Sequence, residues 1–310
     1  MKKIGKIVSF CVVSALALSA CNKYPEPAMI ESNPDIQGDY ILEELDNVQT
    51  GIGIPGGLCI YESNIYVCDI ENNCIVKLNE ELQKVESYGT LGMENGNFSE
   101  PADITFSGNY FYVLDSGNNR VQKFASDFSY LETYYLEPLL SEQGYGQYLS
   151  IAVDEDGTIY VTAISPDNKD AYIYYLENGE WEKAGENVVG YLCEGNGEVY
   201  FANVLEFHIE EKKTSIESGK NILYKIEEEE LRPMVRFIDM YAPVALTCWN
   251  DCIYMVSAGN GVINFFSQDK EMMDTLQVLP EFSLYMYMEI DAGGNIYITD
   301  SENGNFYYVY

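Results

Sequence analysis

The sequence predicts an all-β fold: a six-bladed β-propeller of four-stranded antiparallel blades, closed by an N-terminal strand that completes the last blade. Three observations predict it. An apolar–Tyr–apolar step following a Gly/Asn/Asp-rich turn recurs six times, at Tyr66, Tyr112, Tyr160, Tyr200, Tyr254 and Tyr297, with spacings of 46, 48, 40, 54 and 43. A strand that returns with a period in the forties is the mark of radial repetition. The segments holding these tyrosines read IYVC, FYVL, IYVT, VYFA, IYMV and IYIT, nearly continuous apolar runs with no alternation. Such runs suit strands covered on both faces, as neighbouring blades would cover them. Finally, the last unit runs out at Tyr310 after three strands, while Asp39–Leu45 precedes the first unit without a partner. That stretch is expected to supply the missing outer strand, which removes open sheet edges and ties the two ends together.

The elements follow in chain order. Lys2, Lys3 and Lys6 precede an apolar run from Ile7 to Leu18, too short to span a bilayer comfortably and flanked as a signal segment is. Leu18-Ser19-Ala20-Cys21 then resembles the bacterial lipoprotein signal. By that resemblance residues 1–20 are removed and Cys21 is acylated, so the protein is exported and held to the membrane, in the cell envelope, by lipid (palmitate-type chains). Each buried methylene contributes about 0.8 kcal/mol, and more than one chain gives firm anchoring. Residues 21–38 contain Pro25, Pro27 and Pro34 and no period of either kind, so they are expected to be a flexible tether. Residues 39–310 form the propeller.

Residues 55–98 make the first unit and 101–136 the second. The second divides into Ala102–Phe106, Tyr110–Asp115, Arg120–Phe124 and Tyr130–Leu136, separated by turns rich in Gly, Asn and Ser, where positive φ is cheap. The fourth unit is the longest. Its excess, residues 204–220 (VLEFHIEEKKTSIESGK), lies between its second and third strands and projects on the rim where those turns open. An insertion confined to one repeat is a place for specificity. Glu227–Glu230 reads as a solvated turn.

Pro101-Ala102-Asp103 followed by Asp115-Ser116-Gly117-Asn118-Asn119-Arg120-Val121-Gln122-Lys123-Phe124 resembles the NHL repeat. The first unit keeps part of the pattern, with Pro55 and Asp69-Ile70-Glu71-Asn72-Asn73. The sixth keeps Asp300-Ser301 and Asn303 to Phe306. The resemblance implies a six-bladed propeller used mostly for recognition, with metal-dependent lyases and lactonases as enzymatic relatives. The zinc-dependent amidating lyases of that family need several histidines, and this chain has one, His208.

A Ser–His–Asp site would also have to use His208, and nothing near it in sequence suggests the partners. Six cysteines remain once Cys11 and Cys21 are set aside. Cys68–Cys74 and Cys248–Cys252 each bracket a turn and are candidate bridges, whereas Cys59 and Cys193 lie seven residues before a repeat tyrosine, at buried inner-strand positions. Lys+Arg 17 against Asp+Glu 50 gives a formal charge of −33. Nucleic acid requires the opposite sign and is excluded as a partner; cationic partners or Ca²⁺ are favoured.

Three residues after each repeat tyrosine stand Asp69, Asp115, Ala163, Asn203, Ser257 and Asp300, all at one rim. With Asn72, Asn73, Asn118, Asn119, Arg120, His208 and Asn303 they make a candidate ligand-binding rim, and Asp69, Asp115 and Asp300 are calcium candidates. Aspartate at this place also caps a turn by accepting its backbone N–H groups. The expected function is a membrane-anchored, extracytoplasmic module that binds a protein, peptide or glycan on the rim. The alternatives are a Ca-dependent lactonase-like or other hydrolytic propeller and a structural role in an envelope assembly.

Overall fold

The computed structural model describes residues 27–310 apart from 37, 46, 137–139, 142–143, 166–170, 211–212, 219–220, 238–241 and 268–271. The expected signal segment, Cys21 and the start of the tether lie outside the described residues. Among those residues no helix is long and apolar enough to cross a membrane. Two strands precede the blades, β1 (Ala28–Ile36) and β2 (Leu42–Leu45). Blade 1 is β3 (Pro55–Tyr61), β4 (Asn64–Asp69), β5 (Cys74–Leu78) and β6 (Lys84–Tyr88). Blade 2 is β7 (Pro101–Ser107), β8 (Tyr110–Asp115), β9 (Arg120–Ala125) and β10 (Tyr130–Tyr135), within two residues of the boundaries expected from sequence. A two-residue ladder, β11 (Leu140–Ser141) with β12 (Gly144–Tyr145), leads to blade 3: β13 (Gln147–Val153), β14 (Ile159–Ile164), β15 (Ala171–Glu177) and β16 (Glu180–Glu186). Blade 4 is β17 (Val188–Gly195), β18 (Glu198–Glu210), β20 (Ile222–Glu227) and β21 (Glu230–Phe237), with β19 (Lys213–Ser218) paired to the far end of β18. Blade 5 is β22 (Pro243–Trp249), β23 (Cys252–Ser257), β24 (Val262–Ser267) and β25 (Met272–Val278). Blade 6 is β26 (Met286–Ile290), β27 (Ile296–Asp300) and β28 (Asn305–Val309).

The innermost strands touch in the cyclic order β3, β7, β13, β17, β22, β26 and back to β3, so the ring is closed. Blade 6 takes its fourth strand from the N-terminal side: β2 pairs antiparallel with β28, Leu42 opposite Val309 and Leu45 opposite Phe306. Ile41 and Tyr310 exchange backbone hydrogen bonds beyond it, at 2.9 and 3.1 Å.

The apolar second strands are buried along almost their whole length because each faces a neighbour on both sides. Blades 1 and 2 meet through an aromatic layer of Tyr66, Phe98, Phe111, Phe124 and Phe128. Tyr112, Leu114, Tyr148 and Val161 join blades 2 and 3, and Tyr160, Leu192 and Phe201 join 3 and 4. All six repeat tyrosines are buried. Three of them reach a carboxylate at the blade edge: Tyr160 to Asp154, Tyr200 to Glu198 and Tyr297 to Asp291. A ring that packs while its hydroxyl stays hydrogen-bonded explains why tyrosine recurs here.

Two expectations are corrected. The tether is not loose over its second half. Ala28–Ile36 forms β1, paired parallel with β21 (Ile30 opposite Phe237) and with β25 (Glu31 opposite Met272). Ile30 is 1% exposed within the main core cluster. The outer edges of blades 4 and 5 run in the same sense and present free ladder groups; β1 satisfies both, which offsets the absence of any hydrophobic period. The two candidate cysteine bridges, which the sequence left open, do not form either. Cys68 stands opposite Ile75 and Cys74 opposite Asp69, so the two thiols are one register step apart and belong to different core clusters. Cys248 stands opposite Ile253 and Cys252 opposite Trp249, so these two thiols are likewise one register step apart, although both pack against the main core cluster. A one-residue offset sends paired side chains to opposite faces of the sheet.

Candidate functional site

The rim residues are brought together blade by blade, and most are spent on the fold. Asp69, Asp115 and Asp300 are completely buried at the ends of β4, β8 and β27. Asp69 accepts the N–H groups of Gly53 and Asn72 and the Asn72 side chain. Asp300 accepts the Ser283 hydroxyl, the N–H groups of Glu302 and Asn303, and the Asn303 side chain. Asp115 accepts the Ser99 N–H at 2.7 Å, the Asn118 amide, Arg120 Nε at 2.6 Å and the Gln122 amide. Arg120, 1% exposed, also donates to the carbonyls of Met93, Glu94 and Asn97, so it pins the loop between blades 1 and 2 from within. Asn118 adds a bond to the Gly92 carbonyl.

Asn73 and Asn119 hold equivalent left-handed turn positions, φ 55° and 49°, and the Asn73 side chain accepts the Glu100 N–H. Asn203 is buried at the end of the paired part of blade 4. The His208 backbone lies opposite Ser215 in the β18–β19 hairpin. These aspartates serve three different turns, and no group of three His, Cys, Asp or Glu side chains gathers as a metal site among the described residues. The carboxylates named as calcium candidates therefore do not fit that ion: their oxygens already accept protein N–H and O–H donors.

The axis of the ring holds a second set of residues that the sequence reading did not single out. Two tyrosines cross the channel near its middle. Tyr287 donates to the Leu149 carbonyl at 2.8 Å, from blade 6 to blade 3, and Tyr191 donates to the Leu284 carbonyl at 2.5 Å. Their rings meet edge to face with centroids 5.5 Å apart. Tyr287 lines a cavity of about 220 Å³ on the rim side, with Ala102, Ser116, Tyr148 and Ser301. It also lines a cavity of about 180 Å³ on the opposite side, which the six innermost strands enclose.

That second chamber contains Asp103, Glu194 and Glu289. Asp103 sits beside a register shift in β7. A bulge re-aims side chains next to it, and here the carboxylate takes the Ile104 N–H and, across the blade boundary, the Ile151 N–H at 2.9 Å. Gly57 makes room, since a Cβ there would lie 1.8 Å from Asp103 Oδ1. Burial pushes Asp103 up to about 7 against the pull of those donors. Burial likewise pushes Glu289 up to about 8; the Thr247 hydroxyl opposes the rise, and the Asp103 and Glu194 charges add to it. A charged residue in an otherwise apolar inner strand, PADITF or MYMEI, was the signal available in the sequence.

No curated protein sequence matches the chain. Solved structures match its shape. The luciferin-regenerating enzyme superposes with a TM-score of 0.60 at 11% identity, covering 87% of this chain and 95% of that one. A protein of Bacteroides fragilis described as exported gives 0.59 at 11%, covering 92% and 99%. The calcium-binding protein regucalcin of Agrobacterium tumefaciens gives 0.52 at 10%, covering 91% and 95%. At such identities the likeness is one of fold. The family model of the NHL repeat matches residues 98–124, the stretch from Phe98 to Phe124 that holds the Asp115–Arg120 cage. The chain is thus a six-bladed β-propeller carrying an NHL repeat in its second blade.

Proposed function

We propose that this is an exported propeller, lipid-anchored through Cys21, that binds a protein, peptide or glycan on the rim beside blade 4. The observation that carries the reading is the β18–β19 hairpin. β18 pairs with β20 only over Val199–Ala202, then continues to Glu210 against β19. Its last six residues extend the blade by about 20 Å at ~3.3 Å per residue. The other five blades have second strands of five or six residues. An extension found in one repeat among the described residues serves no role in closing the ring, so recognition is the natural use of it. The Bacteroides fragilis neighbour described as exported agrees with the signal-like N-terminus.

The test compares the purified full-length protein with a variant lacking residues 206–218, each used to capture partners from solubilised cell envelopes. The deletion should leave the thermal transition within a few degrees and abolish at least one stoichiometric capture. Equal capture by both proteins overturns the assignment to this rim.

A second reading, a channel-centred hydrolase, is favoured by Asp103 and Glu289. Groups poised near neutral pH can give and take protons. Lactone hydrolysis that falls at least tenfold in Glu289→Gln would establish it, and no turnover across a lactone panel would remove it.

A further inference from the structure

The seam between blades 4 and 5 is built unlike the seams between the other blades. On its outside, β1 bridges the outer strands of both blades. On its inside, two sulfurs meet: Cys193 Sγ on β17 and Cys248 Sγ on β22 are 3.4 Å apart, in van der Waals contact across the blade boundary. The approach is enforced from both sides. A Cβ on Gly195 would lie 2.4 Å from Cys248 Cβ and 2.6 Å from its sulfur, so only glycine lets the two inner strands come this close. Asn196 Nδ2 donates to Asp251 Oδ1 at 2.8 Å one turn further along the same boundary. The backbones that carry the cysteines are therefore held in place, and a disulfide at about 2.05 Å needs only a small rotation of the two side chains.

We propose that Cys193 and Cys248 are a disulfide-forming pair, closed by exchange with an external disulfide, that locks the inner end of the blade 4–blade 5 seam. The two thiols differ in access. Cys193 is buried, and burial together with the neighbouring Cys248 pushes its thiol well up. Cys248 is half-buried and lines both the channel chamber and an open groove of about 450 Å³ beside Trp249 and Asp251. Its thiolate attacks one sulfur of the incoming disulfide and expels the other as a thiolate. The Cys193 thiol then loses its proton and attacks Cys248 Sγ in the mixed disulfide, expelling the second thiolate. Two protein thiols give up two protons and two electrons, and the external disulfide is reduced to two thiols. The loop so closed runs from 193 to 248, long enough for the cross-link to restrict the unfolded chain substantially.

The purified full-length protein, treated with excess oxidised glutathione and alkylated under denaturing conditions, tests this by peptide mapping. The expected product is a single bridge joining the Cys193 and Cys248 peptides, with two fewer alkylated thiols than in the dithiothreitol-treated protein. The melting temperature should rise by about 5–10 °C, the shift of one long-loop cross-link in a domain this size. Cys193→Ser and Cys248→Ala should each abolish the rise while melting close to the reduced wild type. The proposal is overturned if no thiols are lost, if the bridge joins any other pair, or if glutathione stays on Cys248 with Cys193 free.

Discussion

Arg120 shows a charged side chain used as core. Its guanidinium is enclosed, and its Nε–H faces Asp115 Oδ2 while the remaining donors close on three carbonyls of the preceding loop. Removing one partner of such a pair leaves the other charge buried without compensation, at a cost of about 3–5 kcal/mol. Arg120→Ala should therefore lower the unfolding free energy by roughly that amount in urea titration. Arg120→Lys should recover little of it, because an ammonium cannot fill four directions with planar geometry. A loss under about 1 kcal/mol, the size expected of an ordinary surface pair, would mean the cage is not structural. The motif residues were legible as a turn signature, and Asn72, Asn118 and Asn303 do bond the aspartate three residues before each. What the sequence could not show is that the same atoms leave nothing for a ligand. Hydrogen-bond saturation depends on loops arriving from the neighbouring blade, such as Ser99 on Asp115 and Gly53 on Asp69.

Among the elements, the blade strands were readable and β1 was not, for a physical reason. Second strands are buried on both faces, so their apolar runs appear in any local window. β1 instead carries, among its described side chains, one buried anchor, Ile30, and draws its stability from backbone pairing with strands some 200 residues away. Local composition records neither. Ile30→Asp places an uncompensated carboxylate in the core, and Ile30→Ala removes a packed side chain at a cost of about 2–5 kcal/mol. Both variants should expose 28–36 to limited proteolysis while the blades stay resistant. Continued protection of that segment in Ile30→Asp would show that β1 is not held by this anchor. The docked strand also alters the reach of the lipid. Only residues 22–27 then separate Cys21 from β1, at most about 20 Å of extended chain. The proposed anchor would thus keep the outer wall of blades 4 and 5 near the membrane.

On the scale of the whole ring, the channel chamber exists only because six inner strands converge, which is why one strand's sequence could not reveal it. Asp103, Glu194 and Glu289 come from three blades, and each is an isolated charge in its own strand. Their convergence ties stability to pH in a definite direction. Glu289 titrates near the usual 4.3 in the unfolded chain and at about 8 in the fold. Between those values the folded state holds a proton that the unfolded state has released. Stability from the protonated form is complete below the unfolded value and is lost as pH rises through the folded one. Glu289→Gln keeps an acceptor for the Thr247 hydroxyl and abolishes the titration. Its melting temperature should lie near wild type at about pH 5 and exceed it by up to about 10 °C at pH 9, because nearly four pH units at about 1.4 kcal/mol each amount to a change on the order of 5 kcal/mol. Asp103, raised to about 7 by burial, remains in the variant, so a shallower fall ending near neutral pH should persist. A difference that is flat across this range would place Glu289 in contact with bulk water and remove the chamber as a site of perturbed proton affinity.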